Sequence, residues 1–145
     1  MVASSIIQVS EAASLALHSM VLLAASPDRS LTVKEITGRT GVSEAHLSKV
    51  MQRLAKAGLV KSTRGPKGGF LVGDSGLSTS LLAIFEAIEG PVPNSTCLLP
   101  ATTVCPFREC LFGGLLGRMT AEFKEYMKNK TLGEMVSCKK EEKPT

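Results

Sequence analysis

Two helix-start signals eleven residues apart, with a glycine between them, constrain this chain more than any other feature of its sequence. Thr32 and Glu35 form a T-x-x-E capping box, in which hydroxyl and carboxylate each satisfy a backbone amide that the first helical turn leaves without a partner. Leu31 and Ile36 stand at the positions of a hydrophobic staple, and the helix is expected to end near Thr40 with Gly41 as its stop. Ser43 then starts a new helix, with Val42 and Leu47 as a second staple. Leu47, Val50, Met51 and Leu54 fall at i, i+3, i+4 and i+7, which defines one buried stripe, and Gly58 closes the helix. Its other face carries Ala45, Ser48, Lys49, Gln52, Arg53 and Lys56. Two short helices around one glycine, the second with a basic polar face, predict helix-turn-helix geometry.

The next segment of the chain completes a winged helix. Leu59 to Thr63 and Phe70 to Val72 read as strands, joined by Arg64-Gly65-Pro66-Lys67-Gly68-Gly69. A hairpin with a glycine-rich basic tip, placed directly after such a helix, is a wing. Gly68 and Gly69 permit the tight turn, while Arg64 and Lys67 can reach a minor groove or phosphates. A phosphate-binding P-loop is excluded, because G-x-x-x-x-G-K-[ST] is absent and no helix opens after the glycines. At the N-terminal end of the second helix, Ser43, Ala45, His46, Ser48 and Lys49 stand where base edges are read, with Arg53 further along the same element. Charge agrees with this reading: positions 1–75 hold nine Lys/Arg against five Asp/Glu, whereas positions 76–145 hold eight against eight. The whole formal excess of +4 therefore sits in the part that resembles a reader of double-stranded DNA.

The fold expected is mainly α with a small β-hairpin wing. Positions 1–75 would form the DNA-binding unit, 76–138 a cysteine loop with a dimerisation helix, and 139–145 a disordered tail. Before the capping box, Ser10 caps an apolar helix from Glu11 to Ala25 that is expected to be largely buried, with His18 as a core or interface histidine. After a linker at 73–76 comes a short helix from Ser80 to Glu89, stopped by Gly90. A loop from Pro91 to Pro106 leads into a long helix in which Pro106 occupies the first turn and Cys110 lies near the start. Phe112, Leu115, Leu116, Met119, Phe123 and Tyr126 then recur at helical spacing, a stripe that would fit a partner helix. Gly113, Gly114 and Gly117 would each cost that helix about 1 kcal/mol relative to Ala. A second T-x-x-E box, Thr131 to Glu134, caps a last short helix ending near Cys138. No stretch reads as a membrane span or a signal peptide, so a cytoplasmic setting without structural disulfides is expected.

Three of the four cysteines, Cys97, Cys105 and Cys110, crowd into this loop with spacing C-x7-C-x4-C. Three thiols so placed suit a soft metal, a redox disulfide or no function at all. Zinc ordinarily takes four Cys/His ligands at C-x2–4-C spacing, and neither His18 nor His46 is near in sequence. Cys110 in a first helical turn beside Arg108 would be held toward the thiolate. Cys138 is distant from the trio and reads as a spare thiol. No triad, carboxylate pair or cofactor fingerprint suggests an enzyme.

Taken together, these residues resemble the IscR/NsrR-type (Rrf-two) family of bacterial winged-helix transcription regulators. The likeness runs from about Val9 to Val136. It is carried by Gly58-Leu59-Val60, by Arg64-Gly65-Pro66-Lys67-Gly68-Gly69-Phe70, by Ala87 to Gly90, by the three-cysteine loop and by Thr131-Leu132. The resemblance implies a homodimeric regulator, joined through helix 107–128, on a palindromic operator, with Ala45, Ser48 and Lys49 at the major groove and Arg64 in the minor groove. It also implies an iron–sulfur cluster, 2Fe–2S or 4Fe–4S, held by Cys97, Cys105 and Cys110 and serving as a sensor of nitric oxide, oxygen or iron supply. A fourth ligand in some relatives is an acidic side chain on the first helix of the other subunit. The matching position here is Ser14, with Glu11 one turn earlier. Cluster-free members also exist, for which thiol oxidation or a partner protein would set activity.

Overall fold

The computed structural model describes residues 9–66, 68–92 and 104–137; Lys67, Cys97, Cys138 and the tail 139–145 lie outside the described residues. Helix α1 spans Glu11–Ala24 and is capped by Ser10, whose Oγ accepts from the Ala13 amide at 3.0 Å. Ala13, Leu15, Ala16, Ser19, Met20, Leu23 and Ala24 are buried, so α1 is enclosed on most of its surface, as its composition predicts. His18 departs from that expectation in one respect, since it is exposed and its Nδ1 lies 2.6 Å from the Ser14 carbonyl.

Helix α2, Val33–Thr40, begins at the predicted capping box. The Thr32 amide donates to Glu35 Oε2 at 2.8 Å and the Glu35 amide to Thr32 Oγ1 at 3.2 Å. Gly41, at φ 75°, ends the helix in the left-handed region where a side chain would be strained. Helix α3, Glu44–Lys56, starts at Ser43 and buries Leu47, Val50, Met51 and Leu54, the stripe read from the sequence. Its end is a Schellman motif: the Gly58 amide donates to the Ala55 carbonyl and the Leu59 amide to the Leu54 carbonyl, each at 3.0 Å. That turn feeds strand β1, Val60–Thr63, which pairs antiparallel with β2, Gly69–Val72, in the register Val60↔Val72 to Thr63↔Gly69.

One pairing was not apparent from the sequence. Leu31 and Phe70 exchange backbone hydrogen bonds of 3.0 and 2.9 Å, so the segment before α2 lies along the free edge of β2. Gly69 makes this approach feasible, since a Cβ there would stand 2.4 Å from the Leu31 carbonyl oxygen.

After a 3-10 turn at Gly76–Ser78, helix α4 runs from Leu81 to Glu89, with Ser80 as N-cap and Gly90 as C-cap. Helices α5, Leu115–Asn129, and α6, Leu132–Ser137, come next, and α6 opens on the predicted Thr131/Glu134 box. The joint between them is tied to α4 by an isolated bridge, Ser80↔Thr131. The long helix does not begin at Pro106 as the sequence suggested. Residues 104–114 are irregular, and the helical part of 107–128 starts at Leu115. Gly113 and Gly114 adopt φ 56° and 77°, and two left-handed residues in succession cannot be accommodated inside an α-helix. One hydrophobic core joins α1, α2, α3 and β1 to Leu81, Ile84, Phe85 and Ile88 of α4, Met127 of α5 and Leu132 of α6. No helix among the described residues is long and apolar enough to cross a membrane.

Two outcomes test this arrangement. Gly69→Ala should break the Leu31–Phe70 pairing and cost about 1–3 kcal/mol, the range for forcing atoms into a filled site; urea unfolding with an unchanged midpoint would show that the edge has room. The Thr32 amide first, then Arg29 at 2.7 Å, lower the Glu35 carboxyl from 4.5 to about 2. Because the folded-state value is depressed, the stabilisation is present above about 4.5 and is lost as pH falls toward about 2. The melting-temperature difference between the native chain and Glu35→Gln should therefore shrink over that window, and a constant difference would deny the carboxylate its role.

Candidate nucleic-acid interface and cysteine segment

The first turn of α3 and the wing present the residues expected at a duplex. Ser43, Ala45 and Lys49 are exposed, Ser48 and His46 half-buried. Ser43 Oγ accepts from the His46 amide at 3.2 Å, so its hydroxyl is already engaged in starting the helix. At the wing tip Arg64, Gly65 and Pro66 are exposed, and the Gly68 amide closes the turn on the Gly65 carbonyl at 2.8 Å. Thr63 Oγ1 braces the hairpin, accepting from the Gly69 amide at 2.9 Å and donating to its carbonyl at 3.2 Å. The Leu31–Phe70 pairing and the Schellman turn fasten this hairpin to the starts and ends of the two helices beside it. Lys61, by contrast, is paired with Asp74 at 2.5 Å, and that ammonium holds the Asp74 carboxyl below its ordinary value.

Arg53 is placed differently from the other basic residues of α3. Its Nη2 donates to the backbone carbonyl of Ile88 in the last turn of α4. In the same turn, Ser10 Oγ donates to the Glu89 carboxylate. The Val92 amide donates to Glu86 Oε1 at 3.1 Å, which directs the chain as it leaves α4. Sequence reading missed all three contacts, and no local spacing signals them.

The cysteine-bearing segment leaves from this point. Cys105 and Cys110 are free and exposed; Cys97 is outside the described residues. Around them Val104 is 89% exposed and Leu111 79%. Cys110 is held toward the thiolate, although neither a helix end nor Arg108 is responsible. The Phe112 amide first, then those of Gly114 and Gly113, hydrogen-bond its sulfur and lower its pKa against a smaller opposing effect of desolvation. A turn does this, closed by the Gly113 amide on the Cys110 carbonyl at 2.9 Å.

Ser14 and Glu11 lie along a largely apolar groove of about 620 Å³ that His18, Arg39, Met127 and Met135 also line. Glu11 Oε1 stands 3.8 Å from Nδ1 of His46, so the first turns of α1 and α3 meet. Among the described residues no three His, Cys, Asp or Glu side chains come together as a metal site. The apolar stripe of α5 divides in two. Phe123 packs edge-on against Phe85 with centroids 5.3 Å apart, and Met127 is buried in the chain's own core. Leu115 and Tyr126 remain exposed, as does Phe112 before the helix.

Comparison with known proteins agrees with this architecture. The chain is similar to the HTH-type transcriptional regulator IscR of Vibrio vulnificus, at 31% identity over 103 residues, covering 71% of this chain and 61% of that protein. IscR of Photobacterium profundum is 31% identical over 111 residues, covering 77% and 64%. These matches span less than two thirds of the length of either relative. Among solved structures, CymR of B. subtilis, described as a global cysteine regulator, superposes with a TM-score of 0.77 at 26% identity, covering 91% of this chain and 98% of that one. IscR of T. potens gives 0.70 at 24% identity over 90% and 86%, a likeness of fold. A family model described as "Rrf2: Iron-dependent Transcriptional regulator" matches residues 9–138, nearly the whole chain, and the chain belongs to the Rrf2 family.

Proposed function

We propose that this chain is a DNA-binding transcription regulator whose affinity for a palindromic operator depends on the state of its cysteine segment. The carrying observation is the fixed relation between the first turn of α3 and the wing, with Ser43, Ala45, His46, Ser48 and Lys49 on one and Arg64 and Gly68 on the other. Lys67 belongs to the same tip by sequence. A second copy would join through the exposed apolar residues at the start of α5, giving two α3 helices one duplex turn apart. Arg64→Ala should weaken binding to a duplex selected from a random pool and reduce the salt slope by about 0.9, the value of one phosphate. A slope equal to that of the native chain would remove Arg64 from the interface.

For the cysteines, an iron–sulfur cluster on Cys97, Cys105 and Cys110 is the reading we prefer. The donor set suits it: two exposed thiols five residues apart, one held toward the thiolate by backbone amides of the kind that hydrogen-bond cluster sulfurs. Ser14 or Glu11 of a second copy is the candidate fourth ligand. When bound, such a group supplies one-electron redox chemistry and iron that small molecules can reach. Anaerobic purification followed by an iron and sulfide count should give near-stoichiometric values, and Cys105→Ala should lose most of both. The second reading, thiol oxidation without a cluster, rests on the exposed, thiolate-favoured Cys110. A colourless native chain that still binds the selected duplex would overturn the cluster and leave regulation to thiol oxidation or a partner protein.

A further inference from the structure

The end of α4 is a junction. The cysteine-bearing segment departs from it at Gly90, the N-cap of α1 reaches it through Ser10 and Glu89, and α3 reaches it through Arg53 and the Ile88 carbonyl. We infer that Arg53 is a positioning residue: it fixes the angle of α3 against α4 and carries displacements of the cysteine segment to the DNA-reading turn, without itself contacting phosphate. This deepens the function proposed above and rests on its DNA-binding part.

Arg53 lies one turn beyond Lys49 on the outer part of α3, where a guanidinium would ordinarily be free to meet a backbone phosphate. Here it reaches across to a carbonyl in the last turn of α4. The last four carbonyls of a helix have no intrahelical partner, and a cation donating to one of them gains both the hydrogen bond and the negative end of the helix dipole. Withdrawing Arg53 to a phosphate would forfeit both. The next amides along the chain are fixed as well: Gly90 donates to the Glu86 carbonyl at 2.9 Å and Val92 to the Glu86 carboxylate. A change in the segment beyond Val92 therefore bears on the turn that Arg53 grips. Because α3 is an unbroken helix from Glu44 to Lys56, a tilt imposed at Arg53 moves Ala45, Ser48 and Lys49.

Arg53→Met keeps the length and apolar stem of the side chain and removes both charge and donor. Arg53→Gln carries the same readouts should the Met variant not fold. The probe is a duplex selected from a random pool by the native chain. Both variants should bind it about tenfold more weakly while the dependence of log affinity on log salt keeps the native slope. A slope smaller by about 0.9 would assign Arg53 to a phosphate and overturn the inference.

A second measurement reads the coupling. Alkylation of Cys105 and Cys110 by iodoacetamide, followed by mass spectrometry, should change in rate by about fivefold on adding the duplex to the native chain, the lower end of ordinary coupling between sites. In the Arg53 variants the change should vanish. Its persistence there, or its absence from the native chain, would deny Arg53 the transmitting role. A native chain that enriches no duplex would instead overturn the DNA-binding reading, and the two failures are thereby told apart.

Discussion

The burial of α1 on most of its faces dictates where everything else can go. A helix whose surface is Ala13, Leu15, Ala16, Met20, Leu23 and Ala24 gains nothing from water, and each large side chain removed from it is worth about 1.5–3 kcal/mol. The alanines matter as much as the leucines, because small residues let neighbouring helices approach closely at interior packing density. Elements α3, α4, α6 and β2 all pack against α1. The helix-turn-helix with its wing and the cysteine-bearing half are consequently built on one shared member, and a core continuous from Ile36 to Leu132 gives neither half an independent interior.

Features encoded within a few residues were legible in the sequence. Both T-x-x-E boxes, the Ser10 and Ser43 caps, the α3 stripe and the wing all arise from hydrogen-bond and burial patterns spanning four to eleven positions. The start of α5 was not legible, for a definite reason. The apolar period continues unbroken through Phe112, Leu115 and Leu116, and Pro106 is compatible with a first turn, so pattern alone favours one long helix. What decides against it is that Gly113 and Gly114 take left-handed backbone together, which a per-residue helix cost does not capture. The effect on Cys110 was anticipated with its cause misplaced: the amides that lower its pKa belong to the glycine turn.

The contacts that could carry a signal were illegible for another reason. Arg53 meets a carbonyl 35 positions away, and Ser10 a carboxylate 79 positions away. On an amphipathic helix, an arginine that will meet a phosphate and one that will cap a neighbouring helix have the same local sequence. Charge counting assigns both to DNA. Only the tertiary fold distinguishes them, and here it brings Arg53 to the Ile88 carbonyl at the end of α4.

This division of labour has a mechanical consequence. The hairpin is fastened at both strands, β2 by the Leu31 pairing and β1 by the Schellman turn that ends α3, so wing and α3 have little freedom relative to each other. The cysteine segment is the opposite case, exposed from Val104 to Leu115 and turning on two glycines. The sensing role proposed above would need one part that holds its shape and one that changes it, joined at few points. If the two were packed together broadly, as α1 and α4 are, every alteration at the thiols would cost core contacts and be resisted by them. A joint consisting of a few hydrogen bonds at the end of a helix costs far less to rearrange, each bond being worth about 0.5–1.5 kcal/mol net. Under the function proposed above, that is the scale on which binding or loss of a ligand at the thiols would redistribute the orientations of α3 without unfolding the domain.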